Sequence, residues 1–408
     1  MNWFHLVFLS FWLFNLSVFC QQSYEEWMEI GKYEYHKTFP YNDLNAAENA
    51  FKKAIQMNPS SFEAWYRLGL TYQKKYCFQF ENIEPFKKNQ AVLIADCYKK
   101  SIELNKQYSE LKDINFEPIE LYTQVWGKLA MAYANYNQLD SMKWALKEMS
   151  KNFFYEALLE MSQNLLNEID KNGILWVNNE TVYYYLLYCQ WILNYRNDVK
   201  IIYFEGCNAV WYNVYLQNIY FTNLYLSKDE IEENREVKLL ENSLTFSHHQ
   251  IRSRLEFPFS SQKVIDRANW FFYRVLQNNA FQHSVYSLAS FDNDITRAMV
   301  NHWHIVGLTK KLFFEIPEKP YEELFQNAKK WKLEKTQAMN GKIPDEILRK
   351  LQFYRMPFIF YAYNNINQNN ELVKILVLEL EKYVPETIIP MQKDIKNFFS
   401  QIKQAINQ

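Results

Sequence analysis

Apolar side chains recur at steps of three and four over most of this chain, which is the helical period, and only a few short runs break it. The clearest helical stretch is AENAFKKAIQMNP, ending at Pro59, with Ala47, Phe51 and Ala54 on one face. FEAWYRLGLTY follows, with Trp65, Leu68, Gly69 and Tyr72 on a helical face of its own. Small residues at Ala47, Ala54 and Gly69 let two antiparallel helices approach closely, while Phe51, Trp65, Leu68 and Tyr72 fill the groove between that pair and the next. The period changes after the punctuation KNG at 171–173. ILWV is an apolar run of strand length, NNETVYYYLLYCQWILNYRND has helix length with Thr181 as a cap, and VKIIYF at 199–204 reads as a second buried strand. Strand, helix and strand in such a short span predict a parallel βαβ unit. SVYSLAS at 284–290, preceded by the amphipathic VIDRANWFFYRVLQNN, reads as a third strand. Helices return from about Tyr321, where Leu372, Ile375, Leu376 and Leu380 keep the helical period, with breaks at GKIPDE and between Pro385 and Pro390.

The spacing W-x2-L-G-x2-Y, entered from the A-x3-F-x2-A-x4-P run, resembles the tetratricopeptide repeat over about residues 22 to 150. Weaker copies flank it. Trp27, Ile30 and Gly31 match its first helix upstream, and YKKSIELN from Tyr98 repeats FKKAIQMN from Phe51. Trp126, Leu129, Ala130 and Tyr133 repeat the signature with Ala for Gly, and Met142, Leu146 and Met149 continue in phase. An insertion between Tyr72 and Ile94, including YCFQFENIEPFKKNQ, interrupts the period. The resemblance implies stacked helical hairpins with a concave face that holds a peptide or partner helix, and places Trp65, Tyr72 and Tyr133 as its partner-binding residues.

A second resemblance begins at ILWVNNETVYYYLLYCQ and runs on through YRNDVKIIYFEGCNAVWY. It is similar to the soluble C-terminal region of Bacteroidota membrane proteins related to protein O-mannosyltransferases, over about 172 to 390. The matching positions are Asn178, Glu180, Leu186, Tyr188, Gln190, Arg196, Asp198, Val199, Asn208, Trp211 and Tyr212. Where those relatives carry a second acid this chain has Val182, and their membrane-embedded part has no counterpart, so transferase activity does not carry over. Asn178 and Glu180, with Asp292 and Asp294 after the third strand, are candidates for holding a polar ligand or cation where strand ends meet. Against that stands the ordinary use of Asp and Asn in turns.

Composition narrows the chemistry. The 408 residues carry 45 basic and 46 acidic side chains, so no basic footprint marks a nucleic acid as partner. Seven glycines, no two of them close in sequence, exclude the phosphate loop, the dinucleotide fingerprint and the nucleophile elbow. No cofactor is implied, and His248 with His249, or His302 with His304, lacks a third metal ligand. Cys77, Cys97, Cys189 and Cys207 contain no C-x-x-C pair. Cys77 bridges Cys97, or Cys189 bridges Cys207, or the thiols are free, which the composition favours. Residues 1–20 contain no Lys, Arg, Asp or Glu and precede a polar turn in composition, so they read as an export signal cleaved after Cys20. The alternatives are an uncleaved membrane anchor and a buried helix.

The expected architecture is mainly α, with a signal peptide at 1–20, tetratricopeptide-like repeats at 21–170, a small α/β module at 171–315 and helical hairpins at 316–408. The expected function is a non-catalytic scaffold for protein partners in the periplasm or elsewhere in a bacterial cell envelope. The alternative is an accessory module of a glycosyltransfer system that binds glycan or a lipid-linked sugar.

Overall fold

A computed structural model describes residues 23–38, 41–76, 80–83, 88–105, 111, 114–153, 155–221, 236–238, 243–250, 254–258, 264–339 and 342–406. The chain is mainly helical with one small mixed sheet, and it divides into two units. One contains residues up to Phe78 together with Lys88–Pro118; the other contains Gln79–Lys87 and Ile119–Gln408. The segments after Pro118 that the sequence groups with the repeats therefore fall in the second unit. The export segment and Cys77 lie outside the described residues.

Among the described residues the first unit is a stack of four helices, α1 (Tyr24–His36), α2 (Leu44–Met57), α3 (Phe62–Lys75) and α4 (Lys88–Leu104). Local chemistry starts the first three. Ser23 and Glu26 form a reciprocal capping box on α1, Asp43 accepts from Asn45 and Ala46 at 3.0 Å, and Ser61 accepts from Ala64 at 3.1 Å. Ala47, Ala54 and Ala64 are fully buried between the helices, with Phe51 and Tyr98 as the bulky partners.

The second unit opens with α5 (Pro118–Asn135), α6 (Leu139–Phe153) and α7 (Glu156–Glu168), then enters the βαβ unit of β1 (Ile174–Val177), α8 (Glu180–Trp191) and β2 (Lys200–Tyr203). After α9 (Val210–Ile219) come β3 (Glu236–Lys238), β4 (Ser243–Ser247), β5 (Arg254–Pro258), β6 (Val264–Asp266) and α10 (Arg267–Asn279). The sheet is completed by β7 (Val285–Leu288), β8 (Trp303–Ile305) and β9 (Thr309–Leu312), with α11 (Asp294–Ala298) between β7 and β8. Its order is β2-β1-β7-β9-β8. β1 runs parallel to both β2 and β7, and β9 pairs antiparallel with β7 and β8. β3 pairs with β6, and β4 with β5, as separate antiparallel ribbons. The three expected strands and the parallel βαβ unit are present. The helix start differs: Asn179, not Thr181, caps α8 by accepting from Val182 at 3.0 Å, and the Thr181 hydroxyl donates to Glu120 at 2.9 Å.

β1 is buried along its whole length, which is why ILWV is apolar without alternation. Trp176 meets Phe272 of α10 at 4.6 Å between ring centroids, while Tyr203, on the opposite parity, stacks on Tyr183 of α8. Helices thus cover both faces. The chain closes with α12 (Tyr321–Ala328), α13 (Glu334–Ala338), α14 (Asp345–Leu351), the hairpin of α15 (Met356–Asn365) and α16 (Asn370–Tyr383), and α17 (Lys393–Ile406).

α7 organises this closing region through a polar stripe at four-residue spacing. Glu160 accepts from the backbone of Lys335 and Thr336 at the start of α13, at 2.9 and 3.1 Å. Asn164 exchanges bonds with the Lys332 backbone, and Glu168 accepts from Leu308, Thr309 and the Trp331 indole. Cys97, Cys189 and Cys207 are free and buried.

Candidate functional site

Between α2 and α4, with α3 as its floor, lies a groove of about 680 Å3. Leu68 and Tyr72 form the buried bottom, half-buried Trp65 closes one end, and Ile55 and the partly exposed Leu93 form apolar walls. The rim is charged, with Lys52 and Gln56 from α2 and Asp96, Lys99, Lys100 and Glu103 from α4. Trp65 is oriented by its indole N–H, which donates to the Pro59 carbonyl at 3.1 Å. Glu48 bridges Lys52 and Lys75 at 2.6 Å each and lies near the Tyr72 hydroxyl.

The groove is built by the repeat. When Phe51 is matched to Tyr98, Lys52 falls on Lys99 and Gln56 on Glu103, so equivalent positions of the second helices of two hairpins face each other across α3. Sequence reasoning named Trp65 and Tyr72 but missed Ile55, Leu93 and the lysines. The duplicated FKKAIQMN and YKKSIELN segments were the signal that could have found them.

The groove does not supply a reactive group. Burial pushes the Cys97 thiol up to about 12 and is also the main cause that takes the Tyr72 phenol to about 12, so both stay protonated at neutral pH. Lys52 and Lys100 are ion-paired with Glu48 and Glu103. What the arrangement offers is an apolar trough with a charged edge, which suits a side chain or short helix of another protein.

Tyr133 lies on α5 in the second unit, half-buried, with its ring 6.5 Å from that of Trp144. The residues proposed from the second resemblance have other occupations. β1 and β7 do end side by side, and Asn178 donates to the Ser290 carbonyl at 3.4 Å across that edge. Glu180 instead points to Lys128 at 3.4 Å and accepts from Tyr184 at 2.7 Å. Burial raises its carboxyl above the usual range, against the opposing pull of Lys128. Asp292 and Asp294 are exposed and both hold the Arg297 guanidinium, at 2.9 and 3.3 Å. Three of the four carboxylate-edge candidates are thus spent on intramolecular ion pairs. Among the described residues no group of three or more His, Cys, Asp or Glu is arranged to hold a metal ion.

Other matched residues of that segment serve the fold. Gln190 donates to the Arg196 and Val199 carbonyls, and Tyr212 accepts from the Tyr203 amide while donating to Tyr183.

Comparison with known proteins agrees with the helical reading of the first unit. No curated protein matches the chain, and the resemblance read over 172 to 390 gains no support from one. Among the described residues no helix is long and apolar enough to cross a membrane. Residues 50–82, which span the end of α2 and the whole of α3, match the tetratricopeptide repeat family.

Proposed function

We propose that this chain is an exported, non-catalytic adaptor that holds a protein partner in the groove over α3. The observation that carries the reading is the apolar floor of Trp65, Leu68 and Tyr72, left open between two charged helices of a tetratricopeptide-type stack. Repeats of this kind commonly mediate contacts between proteins, and their paired helices present side chains from a rigid frame. The partner presents an apolar anchor to Trp65 and polar groups to Lys99 and Asp96. Export and residence in the cell envelope rest on the uncharged first twenty residues.

A photo-crosslinking residue placed at Gln56, and separately at Leu93, tests the groove in intact cells. The same partner is expected from both positions, with capture lost when Trp65→Ala is added. Capture from only one wall, or capture indifferent to Trp65, rejects the groove as the docking site. Sequencing the N-terminus of the purified chain tests export: a start at Gln21 supports it, and an intact Met1 in a cytoplasmic fraction overturns it.

A further inference from the structure

α10 ends in a conformation that side chains with a β-carbon seldom adopt. Ala280 and Phe281 both stand in the left-handed region, at φ 44° and 58°. Strain of this kind persists only where neighbouring contacts over-determine it. The neighbours here are two adjacent histidines that follow β4. The His249 amide donates to the Ala280 carbonyl at 2.8 Å, and the His248 ring lies parallel to Phe281, 5.9 Å between centroids and 13° between planes. His248 also stacks on His249 at 4.9 Å and 18°, and Phe314 closes the cluster edge-on to both His248 and Phe281.

The protonation state of this stack is written into its hydrogen bonds. His248 Nδ1 accepts from the Gln250 amide at 3.1 Å, which requires a lone pair that an imidazolium lacks. His249 Nδ1 faces the Ala280 carbonyl at 3.3 Å, so its proton sits there and a second proton must enter at Nε2. Two parallel imidazolium rings at this spacing repel each other. His283 lies near them, and burial first, then the charges of Lys200 and His249, hold its pKa below the usual imidazole value.

We infer that the His248–His249 stack is an acid-released latch: neutral, it pins the strained Ala280–Phe281 turn to the tip of the β4–β5 ribbon, and doubly protonated it lets the turn go. The base of the ribbon stays attached in both states, because Phe246 packs on Tyr273 of α10 and Thr245 donates to the Tyr273 hydroxyl. The opening is therefore local.

Amide hydrogen exchange of the full chain between pH 7.5 and 5.5, corrected for the chemical exchange rate at each pH, tests the latch. Protection of the His249, Gln250 and Gln282 amides is expected to fall about tenfold or more, while the β1 and β7 amides keep theirs. The double variant His248→Phe with His249→Phe retains ring stacking without charge, and its protection at Gln282 is expected to be flat across the same range. Constant protection in the wild-type chain, or an equal fall in the double variant, overturns the proposal. If the variant loses β1 protection and so fails to fold, histidine NMR of the wild type decides: two separated titration steps for His248 and His249 support the latch, and two independent ones at the same pH sink it.

Discussion

The ring of Phe51 lies so close to Gly31 that a β-carbon there would come within 2.5 Å of its Cε1, and Tyr98 stands over Gly69 in the same way at 2.7 Å. Each hairpin of the first unit is therefore closed by one aromatic ring seated on one glycine. The second pair also backs the candidate groove, since Gly69 neighbours Leu68 on the floor and Tyr98 follows Cys97. Gly69→Leu is expected to destabilise the chain by about 1–3 kcal/mol through overpacking, despite the better helix propensity of leucine. Denaturant unfolding of the purified variant measures it, and a variant as stable as the parent would mean that Tyr98 moves aside freely.

The repeat that supplies both pairs was legible in the sequence, since Gly31 and Phe51 recur as Gly69 and Tyr98, but the contact of ring and glycine was not. β1, β2 and β7 were legible for a related reason: strands buried on both faces become unbroken apolar runs. β8 and β9 were not, since TKKL and WHI are too short and too mixed to stand out from a loop. The pairing of Glu180 was not legible, because its partner Lys128 comes from α5, far away in sequence. Glu160, Asn164 and Glu168 were invisible as a unit, because they bind backbone amides that lie more than 130 residues away. No side-chain pattern marks a backbone amide as a partner.

Glu168 gives the chain a pH dependence of definite sign. Its buried carboxyl accepts from the Leu308 and Thr309 amides, the Thr309 hydroxyl and the Trp331 indole, at 2.8 to 3.1 Å. Burial outweighs these four donors and pushes its pKa up to about 7. A carboxyl raised in the folded state binds its proton more tightly there than in the unfolded chain. The stability it contributes is full below the ordinary carboxylate value and is lost as pH rises through about 7. Unfolding free energy is expected to fall by up to about 3 kcal/mol between pH 5 and pH 8. Glu168→Gln should flatten that slope in denaturant titrations at the two pH values, at the expense of overall stability, because an amide brings a donor among donors.

Arg196 and Asp198 place the opposite dependence at the acid end. The Arg196 guanidinium donates to the Leu166 and Ile169 carbonyls at 2.6 and 2.8 Å, closing the end of α7, and binds Asp198 through two nitrogens at 2.8 and 2.9 Å. Hydrogen bonding to Arg196 is the first cause that holds the Asp198 carboxyl down at about 2, with the Asn172 amide assisting. Its stabilisation is present above the ordinary carboxylate value and disappears as pH falls toward 2. Arg196→Met is expected to cost about 1–3 kcal/mol by orphaning the α7 carbonyls, and Arg196→Lys to recover only part of it, because an ammonium cannot fork. Asp198→Asn should remove the part of the acid-unfolding slope between pH 4 and pH 2, read by circular dichroism.

Glu180 and Lys128 decide whether the sheet edge is a ligand site or a piece of framework. Their side chains are only 13% and 9% exposed, so neither charge is solvated well enough to stand without compensation. Removing one partner, as in Glu180→Ala, takes away the carboxylate that faces the buried Lys128 ammonium and is expected to destabilise the chain by about 3–5 kcal/mol. Replacing both, as in Glu180→Leu with Lys128→Met, should recover most of that loss, since a buried ion pair often equals its apolar replacement. Thermal unfolding of Glu180→Leu, of Lys128→Met and of the double variant gives the coupling directly. A Glu180→Ala chain that keeps its stability yet loses a saturable sugar-induced change in tryptophan fluorescence would instead make Glu180 a ligand contact. Recovery in the double variant, with no sugar response in the parent, marks the pair as the joint that holds α5 against the start of α8.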